Sequence, residues 1–330
     1  ATLKDAAGNT LTGRPVTWAS SAAAVATVSA SGLATGLVAG PATISASSGG
    51  ITGSATLTVT ASPPPPAGGA WPNEPAGYTT LTDWSYSQLV TSPTGSFMSG
   101  ANLWNQTAGT GLAAVVGDAA APLSPPGVAQ ITFPAGLLSG TEPWTLYTNP
   151  APVGREYYTA FWWKASTPWQ GDPSGIDKIS FWMDASPGPV ANLIVMMNNQ
   201  NQAAYYLTVT LEFLAAANGH LANSAGSGTV WHLFGNVNGG NYVIAPGTWY
   251  RIELYCKGST SPTARDGIVR WWATKLGDAA PTLVGNYTNV NFDNPNFVQF
   301  MFAPTWGGNS GVRKTETDYY WIDGVRLSRP

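Results

Sequence analysis

Apolar residues in the first sixty positions recur at alternate places. Val16, Trp18, Val25, Val28, Ala42, Ile44, Ala46, Ala55, Leu57 and Val59 fall largely in step with the period of two of a half-buried strand. Turn formers separate the runs: AAGN at 6–9, SASG at 29–32 and SSGG at 47–50. Five or six short strands in so short a stretch predict a small sandwich. From residue 71 onward the alternation continues in longer runs. Strands are predicted over 129–133, 156–166, 177–186, 191–199, 203–213, 229–234, 248–258, 267–275, 296–304 and 318–328. Helical periodicity is weak everywhere, so the chain reads as all-β. Ten or more strands after residue 70 predict two stacked antiparallel sheets, a jelly roll.

Between the two regions runs ASPPPPAGGA, Ala61 to Ala70. Consecutive prolines impose an extended segment and the flanking Ala and Gly loosen it, which marks a linker. The expected organisation is therefore a module over 1–60, a linker over 61–70 and a larger module over 71–330.

Alternation also assigns faces. In the 248–258 run, Tyr250, Ile252, Leu254 and Cys256 share an apolar face. Trp249, Arg251, Glu253, Tyr255 and Lys257 share the other. The 177–186 run divides into Ile179, Phe181 and Met183 against Ser180, Trp182 and Asp184. In 203–213, Tyr205, Leu207, Val209, Leu211 and Phe213 face the core, and Tyr206, Thr208, Thr210 and Glu212 face away. Several strands thus each offer one apolar face and one mixing aromatics with polar groups. On the concave sheet of a jelly roll such a face suits a sugar.

Composition sharpens this picture. Only 9% of residues are charged, against about 25% in ordinary soluble domains, while tryptophan reaches 15 residues, of which only Trp18 precedes residue 70. Indole fills cores and also stacks on the apolar face of a sugar ring. Trp162–Trp163 and Trp271–Trp272 are adjacent pairs, so one member of each must point inward. The net charge of −3 and the lack of Lys/Arg clusters exclude nucleic acid as a partner. No apolar run approaches the ~20 residues of a membrane-spanning helix, so no membrane insertion is expected. A single cysteine, Cys256, excludes an intrachain disulfide and reads as an inert buried thiol. His220 and His232 have no metal-ligand partner at local spacing and read as a loop and a strand histidine.

The candidate ligand-binding residues are Trp182, Asp184, Tyr206, Glu212, Trp249, Arg251, Glu253, Tyr255 and Lys257. Trp182, Trp249, Tyr206 and Tyr255 are the stacking candidates; the alternative is that they pack under loops. The carboxylates Asp184, Glu212 and Glu253 are isolated, whereas retaining glycoside hydrolysis needs two held ~5–5.5 Å apart. Hydrolysis is disfavoured. Elimination from a uronate polymer needs a base and groups that neutralise the carboxylate. Tyr255 or Tyr206 as base, with Arg251, Lys257, Asn198 and Gln202 around them, provides that set. The alternative is an Arg251–Glu253 surface pair beside a structural tyrosine. The larger module holds 12 Lys and Arg against 16 Asp and Glu, a poor balance for attracting a polyanion.

Two resemblances extend these readings. VTWASSAAAVATVSASGLATGLVAGPATISASSGG resembles a bacterial Ig-like domain of the group 2 type, through the Trp18–Ser21 turn, the VATV-SASG-LATG run and the AG-ATI-A strand. This implies a spacer or adhesion module on a secreted or surface-displayed bacterial protein. Relative to that family the first strand is missing, which leaves an open edge. It would be supplied by upstream residues or by another protein chain, or be absent from the gene. The stretches PGTWYRIELYCKGSTSPTARDGIVRWWATKLGD, FMFAPTWGGNSG and TDYYWIDGVRLS resemble concanavalin A-like jelly rolls, the sandwich of laminarinases, several polysaccharide lyases and many carbohydrate-binding modules. Modules ending in a similar Tyr/Ile-Asp strand use that aspartate as a structural calcium ligand. This implies Asp323 as a Ca²⁺ ligand; the alternative is an Asp-Gly turn residue. The resulting expectation is an extracellular polysaccharide-binding or adhesion protein. Its alternatives are a lyase acting on a uronate glycan and a filament subunit completed by strand donation.

Overall fold

The computed structural model describes residues 1–36, 40–59, 71–84, 96–99, 102–108, 112–123, 127–148, 153–184, 192–199, 204–212, 231–234, 241–292, 294–308 and 310–330. The chain divides into two compact units, Ala1–Pro64 and Pro65–Pro330. The Pro-rich stretch 61–70 lies outside the described residues.

The first unit contains β1 (Thr17–Ser20), β2 (Ala26–Val28), β3 (Ala34–Gly36), β4 (Gly40–Ser48) and β5 (Ile51–Val59). Strands β1, β4 and β5 form one antiparallel sheet, and β2 pairs with β3. The SASG motif has a clear cause. Gly32 sits at φ +86°, and a Cβ there would lie 2.5 Å from the Trp18 ring, so only glycine lets the indole close over the turn. Among the described residues of this unit only Ala26 and Ala42 are buried apolar side chains. A groove of about 740 Å³, lined by Leu3, Leu11, Trp18, Ile44, Ala46 and Ala55 among others, runs along it. Ile51 beside it is 78% exposed.

The second unit continues with β6 (Thr79–Trp84), β7 (Ser96–Ser99), β8 (Asn102–Ala108), β9 (Ala113–Gly117), β10 (Gly127–Phe133) and β11 (Trp144–Thr148). Next come β12 (Glu156–Ala165), β13 (Ile176–Asp184), β14 (Asn192–Asn198), β15 (Tyr205–Glu212), β16 (Trp231–Phe234) and β17 (Tyr242–Ile244). The last are β18 (Tyr250–Lys257), β19 (Gly267–Lys275), β20 (Thr282–Val290), β21 (Phe297–Trp306) and β22 (Asp318–Arg329). They build an eight-stranded sheet, β20-β19-β18-β12-β22-β10-β9 with β6 added on β22. A nine-stranded sheet, β16-β15-β14-β13-β21-β11-β8-β7 with β17 added on β15, completes the unit. The chain is all-β, and this unit is a two-sheet sandwich of the jelly-roll class.

One core fills the space between the sheets. From the eight-stranded side it takes Phe161, Trp163, Ile252, Leu254, Trp271 and Tyr320, and from the other Trp182, Leu193, Val195, Leu207, Val209 and Phe302. Trp163 and Trp271 are the inward members of the two Trp pairs, and Cys256 is fully buried beside them. Rings interlock across the gap: Tyr157 stacks on Trp182 at 4.5 Å and Phe161 meets Phe302 edge-on at 5.0 Å.

Asp177, at 1% exposure, closes one end of this core. Burial pushes its carboxyl up to about 7, against the opposing pull of the Trp169 indole N–H at 3.0 Å and the charge of Lys314. The folded chain therefore holds a proton that the unfolded chain releases near 3.8. The stability this confers is complete below that value and is lost as pH rises through about 7. Between those limits unfolding free energy is expected to fall by about 1.4 kcal/mol per pH unit. Asp177→Asn should flatten that stretch of a urea-derived stability profile; an unaltered slope contradicts the assignment.

Candidate functional site

The face assignment in β18 holds. Tyr250, Ile252, Leu254 and Cys256 lie in the core, and Trp249, Arg251, Glu253, Tyr255 and Lys257 share the opposite side. That side is not an open groove. Residues from the 71–84 and 118–123 segments fold over it and form a second apolar cluster with Trp71, Ala121, Val128, Tyr158, Ala160, Trp162 and Trp249. Trp249, read as a stacking platform, is 3% exposed. Its indole N–H donates to Asp118 at 3.2 Å, and Lys164 lies 4.7 Å over its ring. Its area is spent on packing.

Arg251 and Glu253 form a fully buried pair, not a surface one, at 3.1 Å. Glu253 also accepts hydrogen bonds from the Tyr158 hydroxyl at 2.5 Å, the Asn73 backbone N–H at 3.1 Å and the Asn73 amide at 2.8 Å. Arg251 donates to Thr274 at 3.1 Å and lies 5.5 Å from the Trp162 ring. A carboxylate so fully engaged is closed to a ligand. It stitches the 71–84 segment to the sheet.

Tyr255 and Lys257 sit nearer the edge. Both bond Glu156, the hydroxyl at 2.8 Å and the ammonium at 2.8 Å, and Tyr78 donates to the same carboxylate. Burial raises Glu156, but its donors from Lys257, Tyr78 and Tyr255 outweigh that and hold it below the usual range. Burial and then the neighbouring carboxylate push both tyrosines well above theirs. A phenol so raised is a poor base. Tyr255 and Arg251 thus lie beside acceptors that occupy them, while Tyr206, the third residue of that set, is on the other sheet.

In β13 the simple alternation fails. A bulge between Lys178 and Ser180 inserts Ile179, which lies in the core without a register partner, so Ser180 and Trp182 pair against core positions. Trp182 is 0% exposed, and its indole N–H donates to Thr159 of the opposite sheet at 2.8 Å. Phe181 and Met183 instead turn to the outer face. The sequence reading of Trp182 as a sugar platform is corrected here: one inserted residue inverted the strand. The side chains of Asp184, Glu212 and His232 lie outside the described residues, as do Gln202 and His220.

The outer face of the nine-stranded sheet keeps Tyr206. It sits directly opposite Asn198, and Lys178 opposes Met196, two residues along the same strand. Lys178 is thus diagonal to Asn198, within reach of a long side chain. Thr208 and Thr210 follow Tyr206 on this face, and Thr305 opposes Lys178 on the far side. Asn198 is 4% exposed, Tyr206 7%, Thr208 3% and Thr210 0%, while Lys178 is half-buried. Burial alone raises the Tyr206 phenol. The Thr210 hydroxyl oxygen is buried without a hydrogen-bond partner among the described residues. Lys178 was missed in the sequence because strict alternation placed it with Trp182, on what proved to be two different faces.

Asp323 is fully buried in β22, and one of its oxygens accepts the Leu123 backbone N–H at 2.5 Å. Gly324 follows at φ +69°, where a Cβ would meet the Leu123 side chain at 2.6 Å. This Asp-Gly bend absorbs the register shift between β12 and β22 and pins the 118–123 segment. Among the described residues no group of three or more His, Cys, Asp or Glu is placed to hold a metal. Asp323 thus occupies the Asp-Gly bend of the alternative reading.

No curated protein sequence matches the chain. The solved structures similar to the chain include three alginate lyases. The alginate lyase Aly36B is 16% identical, over 74% of this chain and 95% of that one, with a TM-score of 0.46. Alginate lyase vAL-1 from Chlorella virus is 13% identical, over 69% and 93%, at 0.49. The marine PL-14 alginate lyase from Aplysia kurodai is 13% identical, over 66% and 87%, at 0.46. Residues 3–59 match the family of the bacterial Ig-like domain (group 2), and the chain carries such a domain at its N-terminal end.

Proposed function

We propose that the second unit binds a polysaccharide on the outer face of its nine-stranded sheet, as part of a secreted or surface-displayed protein. The observation that carries this is the polar row Asn198, Tyr206, Thr208 and Thr210 on a face turned away from the core, in which the Thr210 hydroxyl oxygen has no hydrogen-bond partner among the described residues. A shielded hydroxyl is costly unless it finds a partner. A glycan hydroxyl would supply one to Thr210. Lys178 beside them favours a sugar carrying a carboxylate. The raised phenol of Tyr206 stays protonated at neutral pH, the form that donates to a sugar oxygen. Migration in affinity gels cast with polymannuronate should be retarded, and Lys178→Ala and Tyr206→Phe should each relieve that retardation. Free migration of the wild-type protein across polyuronate gels contradicts the reading.

The juxtaposition of Asn198, Tyr206 and Lys178 also supports elimination as a second reading. Tyr206 would take the proton α to the uronate carboxylate only as its phenolate, the form that burial disfavours here as it does at Tyr255, and Asn198 and Lys178 would neutralise the carboxylate. A carbon–carbon double bond then forms as the glycosidic C–O bond breaks, its electron pair leaving with the departing sugar oxygen. The unsaturated product absorbs in the ultraviolet. A rise in absorbance on incubation with polyuronate, lost in Tyr206→Phe, supports this reading; a flat trace with retained binding leaves binding alone.

A further inference from the structure

β22 runs through the middle of the eight-stranded sheet between β12 and β10, and its first half alternates sharply. Tyr320 lies in the core at 1% exposure, while Tyr319 and Trp321 point to the opposite face and keep part of their surface open. Their ring centroids lie 5.7 Å apart with the planes tilted by 32°. Two partly open rings this close, on a strand paired on both sides, offer aromatic surface to pyranose rings. Trp321 is fixed from both flanks. Its indole N–H donates to Gln130 at 3.0 Å, and the Lys164 ammonium sits 4.7 Å from its ring centroid. Beside the rings opens a cleft of about 460 Å³, bordered by Lys164, Thr167, Glu316 and Thr317.

The charges around the cleft select the ligand. Lys164 is paired with Asp118, and Lys314 is buried against Asp318 at 2.6 Å. Both ammonium groups are thus matched by carboxylates, and Glu316 adds a further negative charge at the exposed rim. A uronate polymer would meet a net negative site. We infer that Tyr319 and Trp321 form a second glycan-binding platform, which takes an uncharged β-linked glycan whose rings present flat apolar faces, the hydroxyls bonding at the cleft. This site is separate from the nine-stranded face and does not depend on that face binding sugar.

Tryptophan fluorescence titration of the full chain with cellohexaose, and separately with a mannuronate hexasaccharide, tests it. The wild-type protein should bind cellohexaose, and Tyr319→Ala should weaken that binding about tenfold or more, the loss of one stacked ring. Trp321→Phe, which keeps a ring and the fold, should weaken it less, and Tyr206→Phe should leave it unchanged. No response of the wild-type protein to cellohexaose overturns the platform. So does equal affinity in Tyr319→Ala, or a preference for mannuronate that Tyr319→Ala abolishes. A loss confined to Tyr206→Phe would assign the neutral glycan to the other sheet and overturn it as well.

Discussion

Trp182→Ala is expected to lower the free energy of unfolding by about 3–5 kcal/mol, the cost of removing a fully buried indole from a core that relaxes only in part. Three separate contacts enter that figure. The ring stacks on Tyr157 at 4.5 Å, meets Phe297 and Phe300 at 5.8 and 5.4 Å, and donates its N–H to Thr159 at 2.8 Å. The last contact ties the two sheets together, and its loss leaves the Thr159 oxygen short of a donor in an apolar setting. Trp182→Phe should recover much of the packing and little of the hydrogen bond. Urea denaturation followed by near-ultraviolet circular dichroism checks both variants. A change below about 1 kcal/mol would return Trp182 to the exposed position that simple alternation predicted.

The second large effect is expected at the Arg251–Glu253 pair. Glu253→Ala should cost about 3–5 kcal/mol because it leaves a buried guanidinium uncompensated, and Arg251→Ala should cost a similar amount. Glu253→Ala also strands the Tyr158 hydroxyl and both Asn73 donors, so the 71–84 segment should loosen. Limited proteolysis cutting near Asn73 would report that release. Replacing Arg251, Glu253 and Tyr158 together by Met, Leu and Phe should cost less than either single loss, since it removes both charges and the Tyr158 hydroxyl at once and strands only the Asn73 donors and the Thr274 hydroxyl. An exposed groove pair would behave otherwise, with single losses under about 1 kcal/mol.

Strand content was legible because alternation is local. All ten segments read from the larger module became strands, from β10 to β22. β20 escaped notice since TLVGNYTNV carries Gly and Asn, residues depleted in strands, and its pairing with β19 supplies what propensity lacks. Face assignment succeeded in β15 and β18, where no residue interrupts the period, and failed in β13 at a single bulge. The fate of Trp249 and Arg251 was illegible for a different reason. The cover that buries them comes from residues about 130 to 180 positions earlier, and no local pattern reports such a contact. The tryptophan excess proves to be mostly a packing resource, with Trp144, Trp163, Trp182, Trp271 and Trp306 all sealed in the core. The sugar contacts we propose then fall to Tyr206 and its polar neighbours on one sheet, and to Tyr319 and Trp321 on the other.

Hydrogen–deuterium exchange with and without a mannuronate hexasaccharide tests the central claim most directly. Protection is expected in β14 and β15, at 192–198 and 205–212, and in β13 around Lys178, with none added at β18. Protection confined to β18 and the 71–84 segment, or no change at all in β14 and β15, would contradict the account.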